Sequence, residues 1–456
     1  MVRKKFKIVS VECLSTMDIG LISVDRWTQG SQVYFLTHLH SDCTQGLTST
    51  WARGLFFCSR LTAKLLPFKF PSLNLSLLRV LEIGYWHSIS LISPSSRENF
   101  VVQVMAIDAH HCPGAVMLLF RGEFGCLLYT GDFRWEASED TAKTGKTTLI
   151  KALKDNVVDI LYLDNTFCNP SFDFPTRQVA AQQVVDIIAS HPNHDIIIGI
   201  DTLGKEELLL HISRVLNIKI WVWPERLHTM HLLGFHDIFT TNTSLTRVRA
   251  VPRYSFSIET LEGLNTMRPT IGIMPSGFPW VVKPHKGDDN LFGSLLTARY
   301  NKRKRSANDG AKIDKPNDNL GSVEQFHKYI YSVPLSDHSC FMEIEEFIKL
   351  VQPKNIKGTV SSSSCYVDPL YYFGRLCAGN QPSLRLHCRP ERKAEGERVV
   401  SVQTKSNIGI SNSTMANRRR KSSAKLDFVV VHGSKVNALR RVQWVQRLYK
   451  VNAPVD

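Results

Sequence analysis

The sequence predicts a mixed α/β protein with more than one domain. A chain of 456 residues, of which 43% are hydrophobic, is long enough to bury a sizeable core and longer than one typical domain. The first 135 residues contain short apolar or alternating segments separated by Gly, Asp and Ser, a pattern typical of strands. From residue 176 onward, amphipathic helices alternate with apolar strands, as in α/β units.

The predicted elements fall into two groups along the chain. The first is mostly strands, at Phe6–Ser10, Gly20–Val24, Val33–Leu36, Leu55–Cys58, Phe100–Ile107, Ala115–Phe120, Cys126–Tyr129 and Val157–Leu163, with a helix at Ser59–Leu66 that Ser59 caps. The second has helices at Thr176–Ser190 and from just after Gly204 to about Val215, and strands at Asp195–Ile200, Ile218–Trp223, Arg247–Val251 and Thr270–Met274. An ordered segment at Tyr329–Pro334 and a helix at Phe341–Val351 follow.

The most informative motif follows the strand predicted at Val33–Leu36. His38 and His40 are two positions apart, so on an extended chain both imidazoles point to the same side and can bind one metal ion. A turn after them can bring Asp42 and Cys43 to a second ion. Imidazole, carboxylate and thiolate are all zinc ligands. Taken alone, the pair could equally be loop histidines that bind nothing.

Polar residues follow other predicted strands in the same manner. Each residue alone could be a turn former or a loop packing residue. Together they supply about the number of ligands that a dinuclear metal site needs. The four positions are Asp25, His111, Asp132 and Asp164.

In their order along the chain, these motifs resemble the metallo-β-lactamase family. Ser336-Asp337-His338-Ser339 looks like the Ser-Glu-His-Ser element of the β-CASP DNA nucleases, and Gly131-Asp132-Phe133-Arg134 fits the same family. The resemblance covers roughly residues 6 to 375 and is greatest to the Apollo, Artemis and interstrand-crosslink-repair branches. The Apollo branch fits best, because the catalytic domain is expected almost at the amino end.

The resemblance implies an αββα metallo-β-lactamase sandwich with an inserted α/β β-CASP cap. On this basis we expect five segments in the chain. They are the first part of the metallo-β-lactamase domain at 1–170, the β-CASP insertion at 171–300, a basic disordered loop at 301–322, the return segment of the first domain at 323–388 and a basic tail at 389–456.

The same resemblance implies a site with two zinc ions that hydrolyses phosphodiester bonds. The first ion is expected on His38, His40, His111 and Asp132. The second is expected on Asp42, Asp132 and His338, with Cys43 as a further ligand. Asp25 is expected to orient a ligand, and the catalytic set is Asp42, Asp132, His338 and Asp25.

Three further positions correspond to residues that hold a terminal 5′ phosphate in the family. They are Asp164, Lys205 and Ser336, and their presence implies a 5′ exonuclease acting on DNA. Lys205 follows a glycine at a helix start, a suitable place for a phosphate, although an ordinary helix cap would explain the pattern without the family.

Cys43 departs from the family, which has a histidine at this position. A thiolate can bind zinc, so the second site could persist with altered affinity. Alternatively, the substitution weakens that site and slows turnover.

The formal net charge of +15 favours a polyanionic partner, and nucleic acid before membrane. Simple solubility with disordered basic tails is the alternative. Lys302-Arg303-Lys304-Arg305 could be a nuclear-import signal or a phosphate contact, and we expect a nuclear protein. The basic tail, with a possible strand at Phe428–Val431 and a helix at Val436–Tyr449, is expected to bind repair or telomere proteins.

The composition also limits the location of the chain. No apolar run is long enough to span a bilayer, and no long apolar segment follows the basic amino end, so no membrane span or secretory signal is expected. Ten cysteines without paired spacing suit a reducing compartment.

Three other functions remain open on the sequence. An RNA-processing β-CASP nuclease would share the metal ligands, but Lys205 and Ser336 argue against it. A small-molecule hydrolase such as a thioesterase would need neither the cap nor the charge of +15. Cys43 supports a catalytically weakened DNA-binding scaffold, because it replaces the family's histidine. In the cap, Trp221, Trp223, Arg247, Arg249 and Arg253 could line a nucleic-acid groove or could be core and surface residues.

Overall fold

Three β-sheets form the framework of the protein. The computed structural model describes residues 21–27, 30–93, 96–136, 140–154, 156–277, 324–360, 367–377 and 431–432. Among these residues no helix is long and apolar enough to cross a membrane.

The first sheet has the strand order β18-β1-β2-β3-β4, and the second has the order β17-β9-β8-β7-β6-β5. The strands of the first are β1 (Ile22–Val24), β2 (Val33–Phe35), β3 (Leu55–Ser59), β4 (Leu78–Leu81) and β18 (Val431–His432). The strands of the second are β5 (Trp86–Ile92), β6 (Asn99–Asp108), β7 (Val116–Gly122), β8 (Gly125–Tyr129), β9 (Ile160–Leu163) and β17 (Asn355–Gly358).

These two sheets pack face to face and carry helices on their outer faces. Val24 and Phe35 of the first sheet share a buried cluster with Val104 and Leu118 of the second. Leu66 of helix α1 (Arg60–Lys69) packs on the other side of the first sheet. On the outer side of the second sheet lie α2 (Asp140–Leu153), α7 (Phe341–Val351) and the short α8 (Pro369–Phe373). The result is the αββα sandwich that the resemblance implied.

The third sheet belongs to an insertion. It has the order β12-β11-β13-β10-β14-β16-β15. Its strands are β10 (Asp195–Ile200), β11 (Ile220–Trp221), β12 (Phe239–Thr240), β13 (Val248–Pro252), β14 (Thr270–Pro275), β15 (Glu324–His327) and β16 (Ile330–Val333), with helices α3 (Arg177–Ser190), α4 (Glu206–Leu216), α5 (Pro224–Leu232) and α6 (Ile258–Asn265). All strands of the third sheet lie between β9 and β17 in the sequence. Because β9 and β17 are parallel neighbours in the second sheet, the chain leaves and re-enters the sandwich at adjacent strands.

The boundary between the insertion and the return segment differs from the expected one. The sequence predicts the return segment at 323–388, yet β15 and β16 lie in the third sheet, where β16 pairs in parallel with β14. The physical reason is burial, because Ile330 and Val333 are inaccessible and complete the apolar core of the insertion. The return to the sandwich therefore begins after Val333.

The described part of the tail is a single pair of residues. Val431 and His432 pair in parallel with Ser23 and Val24 at the edge of the first sheet. The predicted strand Phe6–Ser10, the basic loop 301–322 and the predicted helix Val436–Tyr449 lie outside the described residues.

Local signals explain where several helices begin. Ser59 accepts a hydrogen bond from the backbone N–H of Thr62, which confirms the predicted cap, and Thr176 caps α3 in the same way. The helix predicted at Phe341–Val351 has those bounds. Eight elements of the described chain were not predicted, namely β4, β5, β12, β15, α2, α5, α6 and α8. In α2 the cause is visible, since its Lys- and Thr-rich sequence has few apolar residues to show a helical period.

Candidate metal centre

The predicted ligands converge at the ends of strands from all three sheets. His38 and His40 follow β2, His111 follows β6 and Asp132 follows β8. His338 follows β16 of the insertion, so the insertion and the sandwich meet at the site. Residues distant in sequence thus come together because their strands end at one place.

The largest group, which we call the three-histidine group, consists of His38, His40, His111 and Asp132. One candidate ligand atom from each lies within 4.8 Å of those from the others. Asp132 Oδ2 is 3.4 Å from His38 Nε2 and 3.6 Å from His111 Nε2. His111 Nε2 is also 3.1 Å from His40 Nδ1. Three imidazole nitrogens and a carboxylate oxygen facing one point fit a transition-metal ion such as zinc.

In each of these histidines the other ring nitrogen contacts an oxygen. His38 Nδ1 lies 3.0 Å from Thr37 Oγ1, His40 Nε2 lies 2.8 Å from the Leu203 carbonyl, and His111 Nδ1 lies 2.8 Å from the Asp337 carbonyl. Such partners fix the tautomer and the ring plane of a metal ligand. The nitrogens left for a metal are therefore His38 Nε2, His40 Nδ1 and His111 Nε2.

Asp25 acts on the group through Thr37. Its carboxylate accepts from the Thr37 backbone N–H at 2.8 Å and from the Thr37 hydroxyl at 2.7 Å. Asp25 is buried, with a backbone φ of 53°, at the end of β1. A Cβ at Gly131 would be 3.0 Å from Thr37 Cβ, and the φ of Gly131 is +56°, so a larger residue here would be strained and would push against Thr37. Asp25 and Gly131 together hold Thr37 against His38.

The residues expected at a second ion fall into two neighbouring groups. Asp132 and His338 lie with Asp164, and we call this the His338 group. Asp42 and Cys43 lie with His38, and we call this the Cys43 group. Asp132 belongs to both the three-histidine group and the His338 group.

Cys43 is buried among apolar side chains. Its Sγ lies 3.6 Å from Nδ1 and 3.8 Å from Nε2 of His38. The side chain is 2% exposed and packs in the cluster that contains Trp27 and Leu47, and Trp27 Nε1 donates to the Cys43 carbonyl at 2.7 Å. The thiol is thus within reach of a ligand histidine and shielded from solvent.

The three residues expected at a terminal phosphate lie next to the centre and have protein partners. Asp164 Oδ2 is 2.7 Å from His338 Nδ1, and the hydroxyl of Thr166 donates to Asp164 Oδ1 at 2.5 Å. Ser336 Oγ accepts from the His338 N–H and donates to the His338 carbonyl, so it shapes this turn. Lys205 forms an ion pair with Asp337.

The charge state of the centre follows from burial and from neighbouring groups. Burial, and then the imidazoles of His338 and His38, lower the pKa of His111 well below its usual value of 6.5. His111 is therefore neutral at pH 7, the form that binds metals. Burial raises the pKa of Asp337, but Lys205 and Arg177 outweigh this and hold it below 3.8, so Asp337 is ionised.

Several residues that support the centre were not predicted from the sequence. Thr37 directly precedes His38, and this place beside a histidine was the only signal in the sequence. Arg134 is 1% exposed and donates to the carbonyls of Ser336 and Pro175 while pairing with Glu343. Arg226 and Glu206 are also buried beside the site. An arginine within a helix gives no sequence signal of burial.

The basic and aromatic residues of the cap have structural contacts. Arg247 donates to the carbonyls of Ile188, His191 and His194, and Trp221 donates to the Thr241 carbonyl. Arg249 lies 3.5 Å from Asp195, and Arg253 donates to Ser276. These contacts favour the structural interpretation for Arg247 above all, because its guanidinium ties α3 to β13.

An αββα sandwich with an inserted α/β sheet and a centre of histidines and aspartates defines a protein of the metallo-β-lactamase class. Comparison with protein families agrees, because the model described as DNA repair metallo-beta-lactamase matches residues 235–364. The chain therefore resembles the DNA-repair group of the metallo-β-lactamase proteins.

Curated relatives support this assignment. The chain is 35% identical over 351 residues to 5' exonuclease Apollo of Gallus gallus, and 31% identical over 347 residues to DNA cross-link repair protein SNM1 of Arabidopsis thaliana. It is 28% identical over 343 residues to DNA cross-link repair 1A protein of Homo sapiens. These matches cover 76%, 74% and 73% of this chain, and the chain spans 63%, 62% and 28% of the respective relatives.

Proposed function

We propose that the protein is a zinc-dependent nuclease that hydrolyses DNA phosphodiester bonds. The observation that carries the proposal is the convergence of His38, His40, His111 and Asp132 around one point. Similarity to proteins named as 5' exonucleases and cross-link repair proteins supports DNA as the substrate. The net charge of +15 favours the same polyanion.

The residues of the chain fit the needs of such a reaction. A bound ion would act as a Lewis acid and activate water for attack on phosphorus. His38, His40, His111 and Asp132 would hold the first ion. Asp42, Asp132 and His338 would contribute to the second with Cys43, and Asp25 would keep His38 in place through Thr37.

We further propose a 5′-to-3′ exonuclease that prefers 5′-phosphorylated ends. Lys205 supports this, because it is a cation next to the centre whose side chain is only 6% exposed. A terminal phosphate would contact the Lys205 ammonium group, which also pairs with the Asp337 carboxylate. Ser336 and Asp164 would contribute through the turn that presents His338 and through the His338 ring.

The biological setting follows from this activity. We propose action in the nucleus, on DNA ends in the repair of interstrand crosslinks and double-strand breaks and in the protection of telomere ends. Repair or telomere proteins would be bound by the basic tail. Its two described residues, Val431 and His432, are joined to the edge of the first sheet.

An assay with end-labelled single strands tests the function. DNA and RNA strands, each with a 5′ phosphate or a 5′ hydroxyl, are incubated with native protein, with chelator-treated protein and with chelator-treated protein given zinc again. We expect degradation of the phosphorylated DNA strand from its 5′ end, loss with the chelator and recovery with zinc. His40→Ala should bind much less zinc and show little activity.

Each alternative predicts another pattern in that assay. Preference for RNA would identify an RNA-processing nuclease. Tight DNA binding without cleavage would identify the weakened scaffold, which the position of Cys43 beside His38 favours as the second candidate. Equal activity with and without bound metal would overturn the proposal.

A further inference from the structure

A residue of the cap makes a direct contact with the three-histidine group. His40 Nε2 lies 2.8 Å from the carbonyl oxygen of Leu203, a residue between β10 and α4 of the insertion. This carbonyl accepts the proton of His40 Nε2 and leaves Nδ1 for a metal ion. Whatever orients the Leu203 carbonyl therefore orients His40.

The peptide group that carries this carbonyl is held at both ends. Leu203 C=O and Gly204 N–H belong to one planar peptide unit. The Gly204 N–H donates to Glu206 Oε1 at 3.0 Å, while the carbonyl faces His40. Gly204 has a φ of +103°, a conformation that favours glycine. A change in the Glu206 carboxylate would therefore rotate the acceptor of His40.

Arg226 fixes this carboxylate and the loop around it. Its guanidinium donates to Glu206 Oε1 at 2.7 Å, to the Gly204 carbonyl at 2.9 Å and to the Thr202 carbonyl. Arg226 is 1% exposed and Glu206 is 5% exposed. A buried carboxylate needs such a partner, and the planar guanidinium can serve several acceptors at once.

We propose that Arg226 and Glu206 are positioning residues that set the orientation of His40 and thereby the affinity of the centre for its first metal ion. The path runs from Arg226 to Glu206, through the Leu203–Gly204 peptide, to His40. The insertion thus completes the metal centre of the sandwich. This inference rests on the metal-binding part of the proposed function and not on the choice of substrate.

The test measures metal binding by the whole chain, without any nuclease assay. Zinc affinity is determined by competition with a chromophoric chelator, and the ligand field is followed by the visible absorption of the cobalt-substituted protein. We expect Arg226→Met and Glu206→Ala to weaken binding of the first ion about 10- to 100-fold, the usual effect of removing a partner of a ligand histidine. Both should alter the cobalt spectrum.

Two further variants separate positioning from general damage to the cap. Glu206→Gln keeps an acceptor oxygen for the Gly204 N–H and should retain most of the affinity that Glu206→Ala loses. Arg247→Met removes a guanidinium that also holds three carbonyls of the cap but contacts the end of α3 instead. It should lower the melting temperature and leave both zinc affinity and the cobalt spectrum unchanged.

The outcomes are distinct. If native protein binds no metal, the proposed function itself fails. If native protein binds metal and folded Glu206→Ala binds it equally well, Glu206 and Arg226 do not position His40. Equal loss in Arg247→Met would also overturn the inference. Should Arg226→Met not fold, the comparison of Glu206→Ala with Glu206→Gln decides.

Discussion

The three-histidine group and the residues expected at a second ion lie side by side but are built differently. In the first, each imidazole has one nitrogen directed at a common point and the other on an oxygen from Thr37, Leu203 or Asp337. The residues expected at the second ion belong to two separate groups, one with His338 beside Asp164 and one with Cys43 beside His38. A prearranged ligand set binds more tightly than one that must rearrange, so the two ions should differ in affinity.

Asp132 is the residue that both regions share, so its removal should have the largest effect. In Asp132→Asn the amide keeps the shape but loses the charge that would hold both ions. We expect cleavage to fall at least about 100-fold, since metal ions contribute several kcal/mol to such reactions. Initial rates on a 5′-phosphorylated strand measure this. Asp186→Asn, at an exposed carboxylate on α3, is the matched control, and a normal rate in Asp132→Asn would remove Asp132 from the centre.

Lys205 tests whether the insertion grips the substrate as well as supporting the metal. Loss of a charge-assisted contact of this kind costs about 2–3 kcal/mol, or about 30- to 150-fold in kcat/KM. We expect Lys205→Ala to lose this much on 5′-phosphorylated strands and much less on 5′-hydroxyl strands. Lys349→Ala, on the exposed side of α7, should change neither. Equal loss on both ends would make Lys205 a general backbone contact or a structural partner of Asp337.

Cys43 tests the difference between the two regions directly. Cys43→His restores the pattern of the family and should raise the zinc content toward two per chain and the rate by about tenfold, because a second ion is then better held. Metal analysis and rates are measured on the same samples. Cys43→Ser removes the thiolate without adding an imidazole and should lower both. If native protein already contains two zinc ions and Cys43→His is no faster, the thiolate is a competent ligand.

We expect the smallest change in stability from the Lys205–Asp337 ion pair, which joins the insertion to the turn that contains His338. Because the pKa of Asp337 is lower in the folded protein than its usual 3.8, the pair stabilises the fold above that value. This stabilisation is lost as the pH falls through the lower folded pKa. Melting temperatures measured from pH 7 down to about pH 3 should fall less steeply in Asp337→Asn than in native protein. Parallel curves would show that the pair adds no pH dependence.

Much of the local structure followed from the sequence. The strand at Asp195–Ile200 and the helix at Phe341–Val351 have their predicted bounds, since apolar runs and helical periods are visible in short windows. Elements without such a period, such as α2, were not predicted. The candidate ligands were also visible, because histidines and aspartates directly after apolar strands form a recognisable pattern.

The sequence by itself predicted a mixed α/β protein and polar residues at strand ends, because both depend on residue type and short-range order. Its resemblance to a known family added the αββα class, the candidate ligands and the departure at Cys43. Only the tertiary structure decided which atoms face one another. It brought the Cys43 thiol next to His38, the Asp164 carboxylate next to His338 and the Leu203 carbonyl next to His40. It also buried Arg226 beside Glu206. These contacts join residues up to 174 positions apart, and hydrogen-bond geometry at that separation is set by the packing of whole sheets.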